Sequence, residues 1–211
     1  MSTNSREMLK SLLHHKLFGP LILMRRCYRN MLSHEPHQVR RIMSLSISEF
    51  INKLSMEELD VAEISGTDNS VYNWKTYTSY TYPEFDLVNP GQITKQYDVV
   101  LCEQVLEHVQ DPFQATRTLY DLLIPGGVLV VSTPFLIRLH GMPDDYWRFT
   151  PSGIVILLEK AGFESIEVQT WGNKSAVKNN LHNWQHYRFY HSLKNNPSTP
   201  VMVWAFARKP I

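Results

Sequence analysis

The stretch DVVLCEQVLEHVQDP, residues 98–112, starts as an apolar run and breaks into acids, amides and an imidazole: Glu103, Gln104, Glu107 and His108. A second polar group follows in HGMPDDYWRFT, residues 140–150, which places His140, Asp145 and Arg148 in one short loop. An imidazole titrates near neutrality and can take a proton from a hydroxyl, help worth about 10²–10⁴ in rate. His140 is therefore the candidate base. Asp145 and Arg148 are the residue types that orient such a base or grip a polar substrate; the competing reading is that His140 and Arg148 only brace the loop ahead of the next helix.

These side chains need elements that bring them together. YDVVLC has the composition of a strand buried on both faces, and DPFQATRTLYDLLIPGG reads as a helix capped by Asp111, started by Pro112 and ended by Pro125, Gly126 and Gly127. VLVVSTPF is a second buried strand. TPSGIVILLEKAGF repeats the cap-then-proline start at Thr150 and Pro151 and stops at Gly162, after which ESIEVQTW is a further strand. LDVAEIS is the candidate first strand, and PVMVWAFARK is a terminal strand that can return antiparallel at the edge. Strand and helix alternating in this way predict right-handed crossovers stacking a parallel sheet with both faces covered. In such a sheet ligands bind beyond the carboxyl ends of the strands. Glu103, Gln104, Glu107 and His108 follow directly on a buried strand, which puts polar groups where a crevice can use them.

The 211 residues suffice for one sizeable core. Their 43% hydrophobic and 19% charged content is that of an ordinary globular protein, and no apolar run reaches the roughly 20 residues of a membrane span. Two distant cysteines, Cys27 and Cys102, suit neither a disulfide framework nor a zinc site and fit a reducing cytoplasm; no metal ligands are assigned. The apolar start is short, is broken by His14, His15 and Lys16, and does not have the form of a secretory signal. The net charge of +1 conceals nine basic against three acidic side chains over residues 1–56. SREMLKSLLHHKLF, LILMRRCYRNML and HQVRRIMSLSISEFINKL are helical by pattern, so residues 1–56 are expected to form a helical cap and residues 57–211 the main domain. The cap either packs over the sheet or offers a basic surface to anionic lipid.

YDVVLCEQVLEHVQDP, LLIPGGVLVVSTPF, HGMPDDYWRFT and LLEKAGFESIEV, in this order and spacing, resemble the class I S-adenosylmethionine-dependent methyltransferases, in particular the type 11 group. The resemblance is densest over residues 59–168. It implies a Rossmann-like, doubly wound α/β fold whose sheet has seven strands, mostly parallel with the last antiparallel, preceded here by N-terminal helices. It also implies S-adenosylmethionine as cofactor. Glu63, Ser65 and Gly66 fall where the family carries its acidic residue and glycine-rich turn, with Ser65 and Thr67 standing for glycines. About thirty residues separate the first strand from YDVV, fewer than the family commonly uses, so a helix or strand must be trimmed there. Asp86 is the candidate for the nucleoside hydroxyls or adenine, the competing reading being a solvated loop acid. Glu103, Gln104 and His108 complete the cofactor set, His108 being also readable as a structural histidine at a helix start.

The expected activity is O-methylation, less readily N-methylation, of a small molecule or glycan, with His140, Asp145 and Arg148 as catalytic residues. A non-catalytic binding or scaffold protein on the same fold is the alternative, suggested by the glycine-poor first loop. No nucleic-acid partner is expected, because the basic charge sits on helices with strong apolar stripes. The aromatic and amide-rich stretch at residues 171–193 either contributes to an acceptor pocket or is a plain amphipathic helix burying Trp184, Tyr187 and Leu193.

Overall fold

The computed structural model describes residues 37–141, 144–182, 186 and 188–211. Six strands form one sheet: β1 (Asp60–Ile64), β2 (Thr76–Tyr80), β3 (Tyr97–Glu103), β4 (Leu123–Pro134), β5 (Glu164–Trp171) and β6 (Met202–Arg208), in the order β2-β1-β3-β4-β6-β5. The pairs β1·β2, β1·β3 and β3·β4 are parallel, while β6 runs antiparallel to both β4 and β5. The terminal strand is antiparallel as expected, but it inserts between β4 and β5 rather than lying at the edge, which β5 occupies. The expected count of seven is corrected to six among the described residues. After β2, residues 81–96 alone remain before β3, and they contain Pro83, Pro90 and Gly91. A crossover to a parallel strand takes a dozen or more residues, so no further helix and strand fit.

The helices are α1 (Gln38–Ile51), α2 (Pro112–Asp121), α3 (Pro151–Ala161) and α4 (Lys174–His182). Their starts follow local chemistry. The Asp111 side chain accepts from Phe113 N and Gln114 N, both at 3.0 Å, and Thr150 Oγ1 accepts from Gly153 N at 3.1 Å, each cap worth about 1 kcal/mol. Gly162 closes α3 at φ 102°, where a Cβ would be disfavoured. Helix α2 stops earlier than its sequence suggests. Leu123 already pairs with Tyr97, and Tyr97 N donates to Leu122 O at 2.9 Å, so Pro125, Gly126 and Gly127 lie inside β4.

Alternation along the strands divides the core into two layers. Ala62, Ile64, Val100, Cys102, Leu129 and Val131 face one side with Leu119 of α2 and Ile154 and Leu157 of α3. Val61, Val99, Leu101, Val130 and Trp204 face the other, where Val39, Met43, Ile47 and Ile51 of α1 recur every fourth residue and are all buried. Complete burial of each such side chain contributes about 1.5–3 kcal/mol. Trp204 Nε1 donates to Ser46 Oγ at 3.1 Å, and Ser46 Oγ donates to Gln169 Oε1 at 2.7 Å, which fixes the helix on the sheet. The first two helices expected for the cap, together with Pro143, Trp184 and Tyr187, fall outside the described residues. No helix among the described residues is long and apolar enough to cross a membrane.

Candidate active site

The turn after β1 is made without a glycine at its strained position. Ser65 adopts φ 61° and its N–H donates to Tyr80 O at 2.7 Å. The turn is organised from beneath by Glu63, which is buried. Its carboxylate accepts from Asp68 N at 3.1 Å, from Asn69 N at 3.0 Å, from Asn69 Nδ2 at 3.2 Å and from the Tyr77 hydroxyl. Burial and this carboxylate together push the Tyr77 phenol upward. A Cβ at Gly66 would stand 2.9 Å from Glu63 Oε1, so any side chain there would displace the carboxylate that organises the turn. Asn69 Nδ2 also donates to Glu103 Oε1 at 3.0 Å. Glu103 titrates above the ordinary carboxyl range because of burial, with the Asn69 hydrogen bond pulling the other way. Asn69 thus ties the tips of β1 and β3 together.

Beyond those tips lies a cleft of about 480 Å³, within the range of small-molecule sites. Ser65, Asp86, Gln104 and His108 line it, with Tyr82, Phe85 and Tyr146 supplying aromatic walls. Gln104 sits at φ 58°, its N–H donating to Ser132 O at 2.9 Å and its Nε2 to Ser132 Oγ at 3.1 Å. Asp86 accepts from Val88 N at 2.8 Å and Asn89 Nδ2 at 3.1 Å, which shapes its own turn. Of the seven residues expected at the cofactor, four therefore line this cleft, while Glu63, Gly66 and Glu103 are not among its lining residues. Another cavity, of about 320 Å³ between α1 and β5, is lined in part by Ser46 and Gln169 and lies away from the β1 and β3 tips.

His140, Asp145 and Arg148 come together as one unit. Asp145 Oδ2 accepts from His140 N at 2.8 Å and lies 3.2 Å from His140 Nδ1. Arg148 grips both Asp145 oxygens, Nη2 reaching Oδ2 at 2.6 Å and Nη1 reaching Oδ1. Burial alone would raise the Asp145 carboxyl; Arg148 and the His140 amide overcome that and hold it at about 2. Burial lowers the His140 pKa, with Asp145 opposing.

The unit meets the cleft through His108, whose ring stands edge-on to His140 at 5.0 Å between centroids. His108 Nδ1 pairs with the Asp144 carbonyl. Beneath both rings sits Glu107, fully buried, with Oε1 3.7 Å from His108 Nε2 and 3.9 Å from His140 Nε2. Burial pushes its carboxyl up to about 8. Its carbonyl accepts from Tyr146 N at 2.7 Å, anchoring the loop to the 3-10 turn Leu106–His108. The sequence placed Glu107 among the polar groups at the crevice but assigned it no specific contact, and Asn69 was not among the expected site residues. Both act by joining segments distant in the chain, and no spacing rule marks such residues. The one signal was that Glu107 is a charged residue beside a buried strand.

Residues 21–197 match the family described as a methyltransferase domain. The chain is similar to the ubiquinone biosynthesis O-methyltransferase of Ruegeria pomeroyi, with 34% identity over 90 residues that cover 35% of this chain and 36% of that protein. It is similar also to the enzyme of that name from Escherichia coli, with 27% identity over 155 residues, 70% of this chain and 61% of that protein. The chain thus spans only about a third to three fifths of the length of these relatives. Among solved structures, phosphoethanolamine N-methyltransferase 2 of Haemonchus contortus in complex with S-adenosyl-L-methionine shares the fold. The TM-score is 0.55 at 13% identity, over 81% of this chain and 53% of the other.

Proposed function

Since the chain belongs to the methyltransferase domain family, we propose that it methylates an oxygen of a small molecule or sugar at the expense of S-adenosylmethionine. The observation that carries the reading is the cleft at the β1 and β3 tips, with His108 in its wall and Glu107 and His140 packed behind that ring. When bound, S-adenosylmethionine supplies an electrophilic methyl group on a sulfonium. The residues present fit that cofactor. A space of about 480 Å³ suits a nucleoside with an amino-acid tail, the left-handed turn at Ser65 lets backbone approach it, and Asp86 and Gln104 offer polar contacts along it. The names of the curated relatives favour oxygen over nitrogen as acceptor.

His140 handles the acceptor proton. Its lowered pKa keeps the imidazole unprotonated at neutral pH, Asp145 fixes the ring through Nδ1, and Arg148 fixes Asp145. Holding reactants in near-attack geometry is the larger contribution, worth roughly 7–11 kcal/mol in favourable cases, and the aromatic walls at Tyr82, Phe85 and Tyr146 provide it for a flat acceptor or a sugar. Of the proposed cap at residues 1–56, α1 packs on the sheet of the domain at 57–211, while residues 1–36 lie outside the described residues; a cytoplasmic setting is part of the proposal.

Calorimetry with S-adenosylmethionine and S-adenosylhomocysteine tests the reading, joined to transfer of a labelled methyl group to catechol and sugar acceptors. Binding of both is expected, and His140→Ala keeps binding near normal while slowing transfer. Absence of binding by the wild-type chain would mean a scaffold on the same fold.

A further inference from the structure

We propose that Glu107, His108 and His140 bind a divalent transition-metal cation at the edge of the cleft. One carboxylate oxygen and two imidazole nitrogens, one from each residue, lie within 4.8 Å of one another. Neither oxygen of the fully buried Glu107 has a hydrogen-bond partner among the described residues. A buried carboxyl left so is costly unless something occupies the space it faces. The separations of 3.7 Å and 3.9 Å to the two Nε2 atoms are too long for hydrogen bonds. They match two ligands of one ion, since bonds of about 2.0–2.2 Å set neighbouring donors some 3–4 Å apart.

The surroundings of the rings agree. His108 Nδ1 is engaged by the Asp144 carbonyl and His140 Nδ1 faces Asp145 Oδ2, so in each ring the proton belongs on Nδ1 and the lone pair on Nε2. Both Nε2 atoms lie within 4 Å of Glu107 Oε1. A carbonyl or carboxylate holding the far nitrogen of a histidine is the usual outer support of a metal-bound imidazole. Arg148 then completes a chain from guanidinium to carboxylate to imidazole. Two imidazoles and one carboxylate suit zinc, cobalt, nickel, iron or manganese better than magnesium or calcium, and three protein ligands leave positions open.

The catalytic meaning rests on the methyl-transfer reading, although the binding site itself does not. An acceptor hydroxyl taking an open position would be acidified by the cation and release its proton to solvent; in the metal-loaded protein this would replace the base role proposed for His140, which the metal-free site would retain. The acceptor would then enter beside His108.

The test is calorimetric titration of Co²⁺ and Zn²⁺ into the tag-free full-length chain after chelation, with visible absorption of the Co²⁺ form. One site per chain is expected. Glu107→Gln should weaken it at least about 100-fold, Asp145→Asn about 10–100-fold, and the exposed His182→Ala not at all. No Co²⁺ or Zn²⁺ binding by the wild-type chain overturns the proposal, as does binding that Glu107→Gln leaves intact; should that variant not fold, unchanged affinity in Asp145→Asn overturns it equally. S-adenosylmethionine is titrated separately. Cation binding without cofactor binding removes the methyl-transfer reading alone, and the reverse removes the metal site alone.

Discussion

Replacing Glu63 by Ala should collapse the turn that shapes the cleft. The carboxylate receives two backbone N–H groups, one amide and one phenol. Asp68 is exposed and its N–H can turn to water, but Asn69 is buried and Tyr77 half-buried, and these donors lose their partner outright. Hydrogen bonds to a charged group contribute about 1.5–3 kcal/mol each, so two lost in the interior cost about 3–5 kcal/mol after partial relaxation. In a chain of this size that is a fall in Tm of roughly 10–15 °C. Urea denaturation followed by tryptophan fluorescence measures it, with an unchanged m-value confirming that stability alone has moved. Glu63→Gln retains one accepting oxygen and should lose less than half as much. Combining Glu63→Ala with Tyr77→Phe should cost clearly less than the sum of the two changes, because they share a bond. A loss below about 1 kcal/mol in Glu63→Ala, or unaltered affinity for S-adenosylmethionine, would refute the view that this carboxylate builds the turn.

Ser65→Gly should stabilise the chain by about 1 kcal/mol in the same denaturation assay, since φ 61° carries a penalty that glycine does not pay. Gly172→Ala should cost at least about 3 kcal/mol or prevent soluble expression, because a Cβ would stand 2.1 Å from Thr199 O and 2.5 Å from Val201 N, both backbone atoms. Asp145 is depressed to about 2 from an ordinary 3.8. Its contribution of about 2 kcal/mol is therefore complete above pH 4 and lost as the pH falls through 2, and Asp145→Asn should flatten the acid limb of the stability profile over that window.

Local signals in the sequence were enough for the elements that begin and end on named residues. Asp111 with Pro112, Thr150 with Pro151, and Gly162 each act through atoms a few positions away, so their helices could be read directly. The apolar runs of β3 and β4 and the full span of β5 were legible for the same reason. Strand β2, TYTSY, was not: it is an edge strand whose residues are all exposed or half-buried, and it carries no apolar run to announce it. Helix α2 ended sooner than the Pro-Gly-Gly signal suggested, because pairing of Leu123 with Tyr97 took the chain into the sheet first. Of the residues expected at the cofactor, Ser65, Asp86, Gln104 and His108 line the cleft. The joining roles of Asn69 and Glu107 were not legible, since they exist only once segments thirty or more residues apart have met.

Cys102 lies at the centre of the sheet with no exposed surface, and burial holds its thiol in the protonated, unreactive form. An alkylating reagent can reach that sulfur only after β3 has parted from β1 and β4, which pair with it on either side. The rate at which the Cys102 peptide becomes labelled in native buffer is therefore a clock for rupture of the whole sheet, insensitive to fraying at its margins.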